Sequence, residues 1–201
     1  MDIDYKKQYD GYIGIDECAR GNLFGPSLFV GVKLKVPYEE LNFAVDSKTT
    51  KKSQRADMIE KIKNSVEYCL IEIPPQDIDS KGLSPCIKGA LEAIKEYFGT
   101  NEKYLYDGSS TFNCEGISTL VKADGKVISV SCASIIAKNF LDILMEQYDV
   151  DYPEYGFIKN SGYGTKQHIN AIKEHGYTPL HRLSYKIKEL ITIDKKSDFL
   201  F

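Results

Sequence analysis

Long apolar runs are missing from the 201 residues of this chain. No run reaches the roughly 18 consecutive apolar residues that a transmembrane helix needs, so the sequence predicts no such helix. The first residues, MDIDYKKQYDGY, also lack the apolar core of an export signal. We therefore expect a cytoplasmic protein, or a nuclear one if the source has a nucleus, with no membrane contact.

Paired cysteines and an excess of positive charge are missing as well. The five cysteines are scattered and never spaced as CxxC, which argues against a disulfide framework and a zinc site and predicts free, buried thiols. With 26 basic and 29 acidic residues, the chain cannot coat nucleic acid by bulk charge. Residues 157–188, however, carry six lysines and arginines against one acid, so we expect a polyanion to dock there.

Alternating strand and helix patterns, without a repeat, a low-complexity block or a linker, indicate one α/β domain. The domain is followed by a small, basic, helical C-terminal extension, and we set the boundary between residues 1–150 and 151–201. Hydrophobic periodicity and turn residues predict strands at 12–15, 28–32, 68–73, 104–106 and 117–121, and helices at 53–66, 84–98 and 131–145.

Residues 12–34 contain the most informative local pattern. An apolar strand leads into the adjacent acids Asp16 and Glu17, a turn of small residues follows, and a second apolar run begins at Leu28. This order predicts a β-hairpin with negative charge at one mouth. Side chains alternate along a regular strand, so the two acids would point to opposite faces. We expect the glycines after them to break the strand and to let both acids join one site.

Three aspartates, Asp16, Asp107 and Asp124, follow predicted strands, and strand ends are where functional groups converge in open α/β sheets. A single aspartate at such a place is more often a helix cap or a turn residue. Three of them together with Glu17 in one short domain favour a shared acidic site.

Such a site would need positive charge, because two carboxylates about 4 Å apart repel by about 4 kcal/mol at an effective dielectric near 20. Either the carboxyl pKa values rise or cations bind. An all-oxygen ligand set favours Mg²⁺ or Mn²⁺ over Zn²⁺. Two such ions can activate a water and neutralise the leaving oxygen of a phosphodiester. The acids therefore suggest metal-dependent phosphoryl chemistry.

The segments GIDECARG, DSK, YDG, KADGKVISVSCASIIAK, GYGTKQH and HRLSY occur in the order typical of type 2 ribonuclease H, or ribonuclease HII. This resemblance covers residues 12 to about 190. It implies a ribonuclease H-like, mixed five-stranded sheet flanked by helices. It also implies cleavage of RNA in RNA–DNA hybrids and incision 5′ of single ribonucleotides embedded in duplex DNA, by two-metal-ion hydrolysis that leaves 3′-hydroxyl and 5′-phosphate ends.

The resemblance also implies roles for individual residues. The family's four catalytic, metal-binding positions fall on Asp16, Glu17, Asp107 and Asp124, which would hold two Mg²⁺ or Mn²⁺ ions with substrate bound. The substrate-binding positions fall on Ala19, Arg20, Gly21, Ser47, Lys48, Lys122, Tyr163 and Arg182.

Within this set, the turn at Arg20 and Gly21 would grip the ribonucleotide, and Tyr163 would pack against the neighbouring sugar. A structural role for Arg182, with His181 before it, stays open beside the phosphate contact. His168 and His175 lie on a predicted surface helix, where we expect no role in the site.

Two departures from the family pattern affect the first turn, where Ala19 and Asn22 replace a glycine and a proline. If the turn needs a positive φ at Ala19, the alanine costs on the order of 1 kcal/mol. The DSK segment also continues as Thr49-Thr50, which removes one positive charge near the phosphates.

Two alternatives are less favoured than an active type 2 enzyme, the second because all four acids are present. A type 3 enzyme has a similar turn, but it carries an N-terminal substrate-binding domain and a threonine at the position of Arg20. A catalytically inactive hybrid-binding protein with the same fold is the other. We expect a monomer that binds hybrids and ribonucleotide-containing duplex DNA. A sliding clamp is a possible further partner, through the tail Asp198, Phe199, Leu200 and Phe201.

Overall fold

The computed structural model describes residues 3–49, 52–188 and 190, and it describes no side chains for residues 46–56. Five strands form one mixed sheet in the order β3-β2-β1-β4-β5. β1 pairs antiparallel with β2, and β2 with β3, whereas β1–β4 and β4–β5 are parallel. The α/β fold class expected from the sequence is confirmed. The strands are β1 Ile13–Cys18, β2 Ser27–Leu34, β3 Val66–Ile73, β4 Tyr104–Asp107 and β5 Ile117–Leu120.

The helices flank the sheet and complete the C-terminal part of the chain. The α-helices are α1 Tyr5–Gln8, α2 Lys52–Ser65, α3 Pro75–Lys81, α4 Leu83–Phe98, α5 Ile128–Asp151, α6 Phe157–Asn160 and α7 Lys166–His175. Three 3₁₀ segments connect them, at Tyr38–Thr49, Ala123–Gly125 and Pro153–Tyr155.

The two faces of the sheet have separate helical covers because side chains alternate along its strands. On one face Ile15 and Phe29 pack with the apolar stripe of α4, and on the other Val30 and Val32 pack with α5. α5 lies so close to β1 that a Cβ on Gly14 would be 2.3 Å from the backbone nitrogen of Val130. A glycine is therefore required where the central helix crosses the central strand.

α5 is the central helix of the domain. It has 24 residues, and its most apolar window has a mean hydropathy of 1.5, so length and composition alone would allow it to cross a membrane. Buried positions make up 67% of that window. This burial, mainly against β1 and β2, is that of the core helix of a globular domain.

The predicted hairpin of β1 and β2 is confirmed, but the predicted break in the strand is wrong. β1 continues through both acids to Cys18, with Asp16 paired to Val30 and Glu17 to Phe29. The antiparallel ladder holds the backbone extended past the point where the small residues suggested a turn. The chain leaves the strand only at Ala19.

Several predicted boundaries also need correction. The helix expected to begin at Ser84 begins at Leu83, with Gly82 as its N-cap at φ 83°, and α3 precedes it. Val66 starts β3 and does not extend α2. The segment before α2 is the 3₁₀ segment Tyr38–Thr49. The prediction for the cysteines is correct in kind: all five are free, and Cys18 and Cys69 are only partly buried.

The C-terminal part of the chain packs against the turn between β1 and β2. Phe24 of that turn stacks on Phe157 with ring centroids 3.7 Å apart, and it forms a bridge with His181. Tyr155 and Ile172 belong to the same apolar cluster. α5 ends at the expected domain boundary, but the division at residue 150 itself stays a prediction.

Candidate active site

Three aspartates meet at one end of the central strands. Asp16 lies within β1, and Asp107 is the last residue of β4. The parallel pairing of Ile15 with Tyr106 brings these two acids side by side. One carboxylate oxygen from each of Asp16, Asp107 and Asp124 lies within 4.8 Å of the others. Folding therefore gathers these acids from three separate segments, as the sequence analysis expected.

Asp124 reaches this site from a 3₁₀ turn and not from a strand end. It lies four residues after β5, in the segment Ala123–Gly125. Its backbone nitrogen donates to Oδ2 of Asp107 at 3.1 Å, and its carbonyl accepts from Oγ of Ser131 at 2.7 Å. Lys122, just before the turn, has a left-handed backbone with φ 59°. These contacts fix the turn between β4 and α5.

Glu17 reaches the same cleft from the other face of β1. Its Oε1 binds Nη1 of Arg20 at 2.9 Å. Its Oε2 is buried, and so is the hydroxyl of Tyr106, and neither makes a hydrogen bond of acceptable geometry within the described residues. The two acids thus keep the strand's normal alternation and still line one cleft, because that cleft opens at the end of the sheet.

The cleft is open and has a volume of about 440 Å³. Carboxylates form part of its lining, and two basic residues and the loop after β4 form most of the rest. The lining residues are Asp16, Glu17, Arg20, Asp107, Gly108, Ser109, Val121, Lys122 and Asp124.

Burial and mutual repulsion raise the pKa values of the clustered acids. Burial raises the pKa of Asp16 to about 7, the charges of Glu17 and Asp107 add to the rise, and a hydrogen bond from Ser134 opposes it. The pKa of Asp107 is raised mainly by burial, against the hydrogen bond from Asp124. The pKa of Glu17 is raised mainly by burial, although Tyr106 and Arg20 lower it. The folded chain therefore opposes full ionisation of this cluster.

The residues present fit a hard divalent cation. All the converging ligand atoms are carboxylate oxygens, which Mg²⁺ and Mn²⁺ prefer, and the buried Oε2 of Glu17 has the Tyr106 hydroxyl as its neighbouring donor. A bound cation would favour the ionised carboxylates and reverse the rise in their pKa values.

Positive charge and tight backbone geometry come from the turn that follows β1. Ala19 has φ 61°, so the turn does need a positive φ at this position, as anticipated. Arg20 is exposed apart from its contact with Glu17, and around Gly21 the position of a Cβ is open space. The turn thus presents both residues to the solvent.

Arg182 supports this turn from inside, which agrees with the structural role left open for it, whereas its contact with substrate stays a prediction. Its side chain is 1% exposed. Nε and Nη2 donate to the carbonyl of Gly25 at 3.0 and 2.9 Å, and Nη1 donates to the carbonyl of Arg20 at 2.8 Å. The hydroxyl of Tyr185 donates to the same Arg20 carbonyl at 2.7 Å. The guanidinium therefore holds the turn from within the fold.

The loop that carries Tyr163 is joined directly to the same turn. The nitrogen of Leu23 donates to the carbonyl of Gly162 at 2.8 Å, and Nδ2 of Asn22 donates to the carbonyl of Ser161 at 2.5 Å. The ring of Tyr163 is 49% exposed. Asn22, which departs from the family pattern, thus links the two segments.

The substrate roles of Ala19, Arg20, Gly21, Lys122 and Tyr163 stay predictions, although all but Tyr163 lie in the turn or line the cleft. Ser47 and Lys48 belong to the part of the chain whose side chains the structure does not describe. Their predicted phosphate contact therefore also stays a prediction.

Sequence reasoning missed two polar side chains of this site on α5. Ser134 hydrogen-bonds to Asp16 and accepts from Nζ of Lys138 at 2.8 Å. Ser131 and Ser134 are three residues apart, which places them on the same helix face, so the spacing could have identified them. Tyr106 is buried in the core, and its hydroxyl borders Glu17.

Comparison with known proteins assigns the chain to the same family as the sequence motifs do. Residues 86–188 match a family model described as ribonuclease HII. The chain is 40% identical over 177 residues to the ribonuclease HII of Sulfurovum sp. (strain NBC37-1), covering 88% of this chain and 92% of that one.

Two solved structures share the fold at 22% identity. The ribonuclease H2 of Pyrococcus horikoshii OT3 has a TM-score of 0.76, with 94% of this chain and 99% of that one covered. The structure of the PCNA:RNase HII complex from Archaeoglobus fulgidus has a TM-score of 0.75, with 88% and 96% covered.

Proposed function

This chain belongs to the ribonuclease HII family, and we propose that it incises duplex DNA on the 5′ side of a single embedded ribonucleotide as well as cleaving longer RNA–DNA hybrids. It is a metal-dependent endoribonuclease. The finer part of the proposal is two-metal-ion hydrolysis that leaves 3′-hydroxyl and 5′-phosphate ends. The family assignment also favours a type 2 ribonuclease H over the type 3 alternative.

The single observation that supports catalysis most strongly is the carboxylate cluster of Asp16, Asp107 and Asp124 within 4.8 Å. These residues, with Glu17 at the rim, would hold the divalent ions. When bound, such ions activate a water and neutralise the leaving oxygen of the phosphodiester. The protein contributes rigid placement of the acids, through the β1–β4 ladder and the hydrogen bond between Asp107 and Asp124.

Recognition of one ribonucleotide needs groups that can approach its 2′-hydroxyl, because that hydroxyl is what distinguishes RNA from DNA at a given site. The exposed turn at Arg20 and Gly21 is suited to this role, since both residues are exposed and the position of a Cβ on Gly21 is open space. Tyr163 offers an exposed ring that can pack against the next sugar. The hydrogen bonds from the Leu23 and Phe24 nitrogens to the Gly162 carbonyl keep these two parts in register.

A hybrid-binding protein without catalysis is the alternative function. Electrostatics argues against it, because a cleft lined by four carboxylates repels phosphates unless cations neutralise it. A protein that only binds hybrids would gain nothing from burying Asp16 at a raised pKa.

The test is a gel assay of three duplexes: one with a single ribonucleotide, one all-RNA strand paired with DNA, and one all-DNA control. Each is incubated with Mg²⁺, Mn²⁺ or chelator. We expect cleavage of the first two with metal only, and a product with a 3′-hydroxyl end immediately 5′ of the ribonucleotide. Binding of hybrid without cleavage by either metal would establish the alternative. Cleavage of the hybrid alone would remove the embedded-ribonucleotide proposal and leave the endoribonuclease intact.

Contact with a sliding clamp is a further part of this proposal. It is motivated by the apolar end of the sequence, Phe199, Leu200 and Phe201, which lies outside the described residues, and by the archaeal relative that was solved together with PCNA. Deletion of residues 198–201 is expected to abolish co-elution with the clamp of the source organism. Unchanged co-elution would exclude the tail as the contact.

A further inference from the structure

Two histidines form a buried pair that the proposed chemistry does not use. His168, predicted to lie on a surface helix, is 0% exposed, and His181 is 2% exposed. Their Nε2 atoms are 3.1 Å apart. One of the two nitrogens must therefore carry the hydrogen and the other must accept it.

The surrounding hydrogen bonds determine which nitrogen donates. The backbone nitrogen of Thr178 lies 2.8 Å from Nδ1 of His181, and a backbone N–H can only donate, so Nδ1 is an acceptor. The hydrogen of a neutral His181 ring is then on Nε2 and is donated to Nε2 of His168. His168 in turn carries its hydrogen on Nδ1, which lies 2.9 Å from the carbonyl oxygen of Tyr163. The contacts form a directed chain from Thr178 through both rings to Tyr163.

The environment keeps both rings neutral, as this chain requires. Burial lowers the pKa of His168, and burial together with the neighbouring His168 lowers the pKa of His181 to about 4. Aromatic rings surround the pair, including Tyr155 and Phe157. A protonated ring would place two N–H groups against each other at Nε2.

The hydrogen-bond chain ends at the carbonyl of Tyr163, the residue proposed to contact the substrate sugar. The nitrogen of Thr165 also donates to the Tyr163 carbonyl, at 2.8 Å, but this bond is local to the loop. His168 contributes a contact from α7, which ties the Tyr163 backbone to the folded core. At the other end, Arg182 follows His181 and holds the carbonyl of Arg20. Two adjacent residues thus anchor both parts of the proposed ribonucleotide grip.

We propose that His168 and His181 are positioning residues for Tyr163: through the directed hydrogen bond to its carbonyl, they set the orientation of the exposed ring for the sugar beside the ribonucleotide. This inference rests on the function proposed above for Tyr163. It assigns no catalytic contact to either histidine.

A matched pair of substitutions at His168 tests the direction of the hydrogen bonds between Thr178 and Tyr163. In His168→Asn the amide nitrogen can take the place of Nδ1 and still donate to Tyr163, whereas in His168→Gln the amide reaches the place of Nε2 and the donor to Tyr163 is lost. His175→Gln, at an exposed position of the same helix, is the control. Each variant is assayed on the embedded-ribonucleotide duplex and on the hybrid, beside Tyr163→Ala.

We expect Tyr163→Ala to reduce kcat/KM on the embedded ribonucleotide relative to the hybrid. His168→Gln should reduce the same ratio by about fivefold, the effect of one hydrogen bond. His168→Asn and His175→Gln should stay near the wild-type ratio. In the double variant Tyr163→Ala with His168→Gln, no further loss is expected, because the histidine acts through the tyrosine.

Different failures have different meanings. If Tyr163→Ala is impaired but His168→Gln is not, the positioning inference is overturned and the proposed function stands. If His168→Asn is as impaired as His168→Gln, the pair serves packing only and the inference is overturned. If Tyr163→Ala leaves the ratio unchanged, the proposed role of Tyr163 and this inference fall together.

A measurement on the unaltered protein covers the case in which His168→Gln does not fold. Nitrogen-15 NMR of the imidazole rings at neutral pH should show His168 with its hydrogen on Nδ1 and His181 with its hydrogen on Nε2. The reverse tautomer at either ring, or a charged ring, would overturn the inference.

Discussion

The backbone nitrogen of Asp124 donates a 3.1 Å hydrogen bond to Oδ2 of Asp107, so one acid of the cluster holds the segment that carries the next. The β1–β4 ladder places Asp16 beside Asp107 with equal rigidity. The backbone therefore holds the three carboxylates close together even without a bound cation, and the carboxylates repel one another in that state. A site built in this way gains metal affinity at the expense of stability without metal.

Asp16→Asn is expected to abolish metal-dependent cleavage, to preserve hybrid binding and to stabilise the metal-free protein at alkaline pH. The folded pKa of Asp16 is about 7, above its model value of 3.8, so the fold disfavours the charged form. Stability of the metal-free wild type should thus fall as the pH rises from about 4 to about 7 and level off above that. Each pKa unit corresponds to about 1.4 kcal/mol, so the full effect at pH 8 is at most a few kcal/mol.

Thermal unfolding in chelator at pH 5 and pH 8 measures this effect. The stability advantage of the variant should be larger at pH 8 than at pH 5, because at pH 5 Asp16 is still protonated in the folded protein and only its ionisation in the unfolded chain favours unfolding. Asp57→Asn, which changes an exposed acid, is the control. Equal stability of Asp16→Asn and wild type at both pH values would contradict the conclusion that burial raises the pKa of Asp16.

Ser134→Ala is expected to raise the metal concentration needed for half-maximal activity at pH 7. The hydrogen bond from Ser134 lowers the pKa of Asp16, so its loss raises that pKa further and lets protons compete with the ion. The difference from wild type should disappear near pH 9, where the carboxyl is ionised in both. Titration of activity with Mg²⁺ at the two pH values measures it.

Ser129→Ala is the matched control for that titration. Ser129 is buried in the same helix, and its Oγ has no hydrogen-bond partner within the described residues. The Mg²⁺ concentration that Ser129→Ala needs for half-maximal activity should equal that of wild type. A metal requirement for Ser134→Ala that is unchanged at pH 7 would show that Ser134 does not tune Asp16.

Ala19→Gly should change the free energy of unfolding by less than about 1 kcal/mol, although it removes the strain of φ 61°. The reason is that the Ala19 methyl is buried, at 1% exposure, and its loss costs about 0.8 kcal/mol. Ala19→Val should destabilise by more than about 2 kcal/mol, because a β-branched residue tolerates positive φ poorly and the site is full. Urea unfolding of both variants checks this contrast, and a Val variant as stable as wild type would mean that residue 19 leaves the left-handed region.

Arg182→Lys is expected to lower stability by about 2–4 kcal/mol and to reduce cleavage of hybrid and embedded ribonucleotide alike. Lysine cannot reproduce the planar set of donors to the Gly25 and Arg20 carbonyls, which leaves buried acceptors without partners. Lys186→Arg, at a nearby position with the same charge, should have no effect. If Arg182→Lys keeps wild-type stability but raises KM in a salt-dependent manner, the residue contacts phosphate after all.

Much of the architecture follows from local sequence patterns. Alternating apolar residues and turn residues predicted the five strands and the β1–β2 hairpin, and helical periodicity predicted α4 to within one residue at its start. The acids of the cluster could also be identified, because each follows an apolar segment that the sequence alone shows to be a strand. These features depend on interactions within a few residues, where periodicity reports burial directly.

The sequence by itself thus determined the fold class, the strands and the identity of the acids. Only the tertiary structure decided that Arg182 turns inward to Gly25, that His168 meets His181, and that Glu17 joins the cleft without a break in β1. The spacing of His168 with Ile172 could reveal the buried face of α7, but not what covers it. Hydrogen-bond partners 13 to 157 residues apart are chosen by how whole elements pack, and no local pattern encodes that choice.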